Sequence, residues 1–236
     1  MTASKTTRVL AIEGDLVRLQ HTTVEREVRT SDFVREIARI HPLDTGILPG
    51  GCAWYARREN AGRGLVTVHA IERPPGMQAV RFNPDRGGPA GGEIETLNLS
   101  WPNTLWFVRC ENDAILDVFL ACTAAPLSEK GRDTKLFMLP MPNQYDQGNG
   151  AVCLGNLVVD GKQPLAARID GLVRQILDSC WNHDLLPLFE DTGIEGLEDW
   201  AKRSAADPEF HGKMRFHEHR SRTAGQMMEF LLGTDG

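Results

Sequence analysis

No CxxC pair occurs among the five cysteines, Cys52, Cys110, Cys122, Cys153 and Cys180. A zinc ribbon or a thioredoxin-type redox site therefore has no support in the sequence. Their number is odd, so they do not close into a complete intramolecular disulfide set. The opening segment, MTASKTTRVLAIEGD, has no apolar signal core. No apolar run approaches the roughly 18 residues that a membrane helix needs. The longest candidate, 115–122, is interrupted by Asp117. Glycine has no period, which excludes a collagen-like chain. Positive charge is not in excess: Lys plus Arg is 26 against 32 Asp plus Glu, a net −6. That balance argues against a general nucleic-acid binder. These absences together predict a reduced, cytoplasmic protein with no membrane segment and no direct nucleic-acid partner.

What is present describes a globular chain. The hydrophobic share is 41% and the charged share 25% over 236 residues, enough for a sizeable core. Residues 8–20 read as two short strands around Glu13-Gly14-Asp15. Ser31 reads as a helix N-cap with Asp32 in the first turn. Phe33, Ile37 and Ile40 follow at helical spacing, and Pro42 ends the pattern. Beyond the loop 43–51, strand-like segments recur at Ala53–Arg58, Leu65–Ile71, Ile94–Leu99, Leu105–Arg109 and Ile115–Cys122. The segment 83–92, NPDRGGPAGG, interrupts them and reads as a mobile loop. Short strands with tight turns imply an antiparallel meander.

The pattern changes after that. Residues 126–134 read as a polar connection and 136–139, LFML, as a short apolar run. A long irregular stretch follows, from Pro140 to Leu157. Pro164 stands where a helix can begin. Leu165, Ile169, Leu172 and Ile176 then mark one helical face, and the helix is expected to reach about His183. Further helices are expected near Ile194–Ala205 and Ser221–Leu232, on either side of a polar link containing Asp207-Pro208.

The irregular stretch carries the chemistry. Residues 140–156 read PMPNQYDQGNGAVCLGN. A thiol is nucleophilic without a metal, because a small thiolate fraction exists at neutral pH. Cys153 follows Gly148, Gly150 and Ala151 in this loop, and Asn143 stands behind Pro142. An asparagine amide can donate to the oxyanion of a tetrahedral intermediate. Asn143 also suits a turn after proline.

Met141-Pro142-Asn143, a Tyr- and Gly-containing loop, and Val152-Cys153-Leu154 together resemble the active-site signature of ubiquitin-conjugating enzymes. In that family a His-Pro-Asn triplet precedes a glycine-containing loop and an Ile/Val-Cys-Leu. The segment Val152-Cys153-Leu154-Gly155-Asn156 is similar to the prokaryotic branch that includes PRTRC system protein B. So is 99–107, LSWPNTLWF. The resemblance spans roughly residues 50–185. Two positions depart from it: Met141 stands where the family has His, and Cys153 lies ten residues after Asn143, a slightly longer loop.

The resemblance implies an α+β fold with a ubiquitin-conjugating-enzyme-like core at 49–185. N-terminal strands and a helix (1–48) would pack on that core, and a helical C-terminal extension would occupy 186–236. It implies a cysteine-dependent transferase that carries a ubiquitin-like protein as a thioester on Cys153 and passes it to an amine. Asn143 would stabilise the oxyanion or hold the loop. The implied partners are a ubiquitin-like protein and a ThiF-like adenylating enzyme, with a metal-dependent isopeptidase in the same pathway. The setting would be plasmid-linked or antiviral defence. No cofactor is expected at the site, since ATP would be used by the activating enzyme. Asn156 is a further polar candidate near the thiol, while neither Asp146 nor Asp160 can be singled out as an acid or base.

The alternative is a non-catalytic module of the same fold that docks such partners, with Cys153 structural. Cys52, Cys110, Cys122 and Cys180 read as small buried hydrophobes. His183 raises a Cys-His hydrolase, or merely complements a helix end. His211, His217 and His219 match no strong metal motif and read as a solvated charged face. The five tryptophans read as core or partner-facing aromatics. Met227, Met228, Phe230, Leu231 and Leu232 are expected to pack back on the domain.

Overall fold

A computed structural model of the chain describes residues 9–13, 16–21, 24–29, 48–60, 64–83, 94–141, 143–145, 149–182 and 189–233. The helix expected at 31–40 and the loop 84–93 lie outside them, as do Pro142, Asp146, Gly148 and His183. The chain divides into two units, Met1–Ile47 and Leu48–Gly236.

In the first unit, β1 (Val9–Glu13), β2 (Leu16–His21) and β3 (Val24–Arg29) form an antiparallel sheet in that order. The register sets Glu13 opposite Leu16 and His21 opposite Val24. β3 was not expected. Its sequence, VEREVR, is too charged to read as a half-buried strand.

The second unit contains the strand-rich middle of the chain. β4 (Cys52–Asn60) and β5 (Gly64–Arg73) form a hairpin. β8 (Asn103–Glu111) and β9 (Ala114–Thr123) form another. The second hairpin turns on Asn112 and Asp113, both at positive φ (47° and 65°), the conformation that a two-residue I′ connection demands. β5 pairs directly with β8, Ile71 opposite Trp106. The meander is therefore not sequential. β6 (Gly76–Phe82) and β7 (Glu95–Trp101) leave it and form a separate sheet with β11 (Cys180–Trp181), which runs parallel to β6. Pro74, Pro75 and Pro102 bracket the excursion. Each lacks the N–H that continuing a ladder would require.

The six-stranded sheet has the order β12-β10-β9-β8-β5-β4. β10 (Lys135–Phe137) is the expected apolar run. β12 (Glu218–Thr223) joins the end of the polar link to the first three residues of the segment expected to be helical, and it forms the sheet's edge. Four α-helices are described: α1 (Leu127–Lys130), α2 (Leu165–Asp178), α3 (Leu197–Ala206) and α4 (Ala224–Leu232). α2 starts one residue after Pro164 and buries Ile169, Leu172, Val173 and Ile176, a single face. α4 begins three residues later than expected because 221–223 pair as strand. Thr223 Oγ1 then accepts from Gln226 N at 3.3 Å as its cap. The architecture is a mixed one, a curled antiparallel sheet with several helices, compatible with α+β.

β8 shows how the layers close. Trp106, Val108 and Cys110 face one core with Ile169, Leu172 and Ile176 of α2 and with Trp181 and Trp200. Leu105 and Phe107 face a second core with Ala224, Met227, Met228 and Leu231 of α4. The apolar tail thus packs on the sheet, as expected, except that Phe230 stays 45% exposed. Trp101 stacks on Trp200 (5.8 Å, 5°), and Trp200 Nε1 donates to Ser100 O at 3.2 Å, fastening α3 to β7.

Candidate active site around Cys153

The first core sets up the site from below. Met141 and Val152 are buried in the core under α2. Between them the backbone makes a narrow ladder on β9. Val152 N donates to Val118 O (2.8 Å) and Leu120 N to Gly150 O (2.8 Å). On the other side Tyr145 N donates to Ala151 O (2.9 Å) and Cys153 N to Asn143 O (2.7 Å). Residues 150–153 are therefore held between β9 and 143–145. Gly150 is required for this approach. Its φ is +69°, and a Cβ there would sit 2.2 Å from Leu120 O.

The loop brings Asn143 and Cys153 together, as the sequence predicts. Asn143 is a turn residue at φ +64°, a conformation Asn tolerates. Its carbonyl is committed to Cys153 N, while its side-chain amide has no partner among the described residues. Both residues line a groove of about 390 Å³ with Asn156, Ser179 and Cys180. Ser179 Oγ donates to Ile176 O at the end of α2 (2.7 Å). The Tyr145 phenol is hydrogen-bonded to the Cys153 thiol, which holds the phenol above its ordinary pKa. Tyr145 was missed as a site residue, although its place two residues beyond Asn143 in an extended segment was a readable signal.

The five thiols divide sharply. All are free. Cys110 and Cys122 are buried, as expected. Burial pushes Cys110 up to about 11 and raises Cys122 further. Cys52 and Cys180 are half-buried, contrary to the expectation of core residues. Cys52 sits near the start of β4 and is raised chiefly by burial. Cys180 lies where α2 ends and the chain enters β11, so it opens to the groove rather than the core.

Other candidates fall elsewhere. Asp160 accepts from Lys162 N (3.0 Å) in a local turn and does not line the groove. His211 Nδ1 lies 2.8 Å from Ser100 Oγ, and His217 Nε2 lies 2.5 Å from Glu190 O. His219 is 1% exposed, which corrects the reading of this stretch as a solvated face. Ser221 N donates to its Nδ1 (3.1 Å), so its neutral form carries the proton on Nε2, a buried atom with no hydrogen-bond partner among the described residues. No His/Cys/Asp/Glu cluster among the described residues could hold a metal. No described helix is long and apolar enough to cross a membrane.

Neither a family model, nor a curated protein, nor a solved structure matches the chain. Its chemistry is therefore argued from its own residues.

Proposed function

We propose that the chain is a ubiquitin-conjugating-enzyme-like transferase with Cys153 as its acyl carrier. The observation that carries this reading is the groove. A half-buried thiol opens into it beside an asparagine amide with no partner among the described residues, and a main-chain hydrogen bond ties the two residues together. The Cys153 sulfur attacks the thioester carbonyl of an activated ubiquitin-like protein, and the carrier's thiol leaves. An acceptor amine then attacks the Cys153 thioester, forms an amide and releases the Cys153 thiol. In both steps the Asn143 amide donates to the transient oxyanion. The described residues lining the groove include no carboxylate, lysine, arginine or histidine. Such a site suits an acyl group that arrives already activated. Partners on this reading are a ubiquitin-like protein and a ThiF-like adenylating enzyme, with a metal-dependent isopeptidase in the same pathway, in a reducing cytoplasm that keeps the thiol free.

The test is a non-reducing gel of the protein mixed with a bacterial ubiquitin-like protein, a ThiF-like adenylating enzyme and ATP. A reductant-sensitive adduct on Cys153 is expected, replaced by a reductant-resistant ester in Cys153→Ser. Absence of any adduct on Cys153 overturns the reading.

A second reading is a binding module of the same fold, and the same uncharged groove favours it. With no carboxylate or histidine among the described lining residues to accept the amine's proton, the groove would only hold a partner's tail. Iodoacetamide separates the two. A uniquely fast Cys153 marks the transferase, and a thiol as slow as the buried pair marks the module.

A further inference from the structure

The largest of the described cavities, about 580 Å³, is not the Cys153 groove. It lies where Asn149 meets the end of β12 and the start of α4. Arg220 and Arg222 both line it, two residues apart on the exposed side of β12. Neither makes an ion pair or hydrogen bond in the described structure. This contrasts with Arg109, Arg132 and Arg203, which pair with Asp117, Glu229 and Asp199. No carboxylate is among the described lining residues. Asn149, Ser221 and Gln226 add neutral polar groups, and the half-exposed Phe230 adds an aromatic wall.

Arg222 carries a second signal. It sits at φ +52°, in the left-handed region. That conformation is uncommon for a residue other than glycine. The register of β12 against β10 shifts across this segment, and such a bulge re-aims the side chain that it carries. The N-terminus of α4 does not supply the positive charge. Ala224 N is taken by Thr134 O (2.9 Å) and Gln226 N by Thr223 Oγ1. The field in the cavity comes from the two guanidinium groups, on a chain of net charge −6. Guanidinium groups match the geometry of phosphoryl oxygens, and the volume suits a small ligand.

We propose that this cavity binds a phosphoryl group through Arg220 and Arg222. The source is either the free anion or a phosphate ester whose planar body lies on Phe230. The proposal does not rest on the chemistry of Cys153.

The full chain is titrated by calorimetry with inorganic phosphate and, separately, with adenosine monophosphate, at constant ionic strength set with sodium chloride. Binding of at least one probe is expected. Arg220→Gln and Arg222→Gly should each weaken it about tenfold or more, the scale of a lost charge-assisted hydrogen bond. Arg222→Gly suits the backbone at φ +52°, so it removes the guanidinium without unfolding the turn, and its melting temperature reports that. Arg203→Gln, which removes the pair with Asp199 and the contact with the Phe210 ring but no residue lining this cavity, leaves both affinities unchanged. Tighter binding of the nucleotide, reduced to the phosphate level by Phe230→Leu, assigns the ester. Equal affinities that Phe230→Leu does not alter assign the free anion. No heat from either probe overturns the proposal, as does wild-type affinity in both arginine variants.

Discussion

Cys122 and Cys153 depend on the same strand and have opposite environments. Cys122 is part of β9, sealed between the sheet and its packing layers, and burial holds its thiol well above the usual range. Cys153 belongs to the segment that hydrogen-bonds to β9 from outside, and its thiol opens into a groove. The difference teaches that a sheet can store one thiol and present another. Presentation depends on the short ladder at 150–153, whose two sides bond to Val118 and Leu120 of β9 and to Asn143 and Tyr145.

Alkylation tests that contrast most strongly. Under native conditions iodoacetamide is expected to label Cys153 on the order of 100-fold or more faster than Cys110 and Cys122, because those two react only through opening of the core. A time course by peptide mass spectrometry reads it, and equal rates for Cys122 and Cys153 would break the comparison. Asn143→Gly comes next. Glycine accepts φ +64°, so the loop should keep its shape and its melting temperature. Transfer from a Cys153 thioester to free lysine should still fall by about 10²–10³, the usual effect of losing one oxyanion donor. Unchanged transfer would leave Asn143 as a turn residue only.

Gly150→Ala acts on the ladder itself. The strained φ and the collision with Leu120 O should cost about 1–3 kcal/mol in chemical denaturation. Labelling of Cys153 should change while Cys122 stays protected. Faster labelling of Cys122 instead would mean that the core, not the loop, had opened. The smallest effect concerns pH. Burial lowers His69 and His219 below the ordinary 6.5. The unfolded chain then binds more protons than the folded one, so stability is full above about 6.5 and declines as pH falls below it. Melting temperature should drop between pH 7 and pH 5, and His219→Gln should flatten part of that slope. Because His219 lies against the Asn149 backbone, Cys153 labelling should respond to this change before Cys122 does.

Much of the framework was legible locally. The spacing of Leu165, Ile169, Leu172 and Ile176 locates α2, and alternating apolar runs locate β4, β5, β7, β8 and β9. The Gly-rich stretch 140–157 was legible as irregular, and its described residues bring Asn143 and Cys153 together. β12 was illegible because EHRSRT has no apolar face. Its strand form comes from pairing with β10, with Thr223 opposite Lys135, and tertiary pairing overrides weak local preference. The tryptophans were legible as large apolar groups, but not the stack of Trp101 on Trp200, whose partners are far apart in sequence.

Periodicity, proline positions and the order of glycine, asparagine and cysteine are properties of neighbouring residues, so the sequence alone determined the helix that starts at Leu165, the main hairpins and the candidate loop; the helix ends at Asp178, short of the expected His183, because Cys180 and Trp181 pair with β6. Exposure is a property of what the rest of the chain brings alongside. Only the tertiary structure decided that Cys180 joins Cys153 in one groove while Cys122 is sealed. It also decided that β6 and β7 leave the main sheet, and that Arg220 and Arg222 meet Asn149 and Phe230 around one cavity. Each of these depends on segments distant in sequence closing on one another, where burial and hydrogen-bond pairing outweigh local pattern.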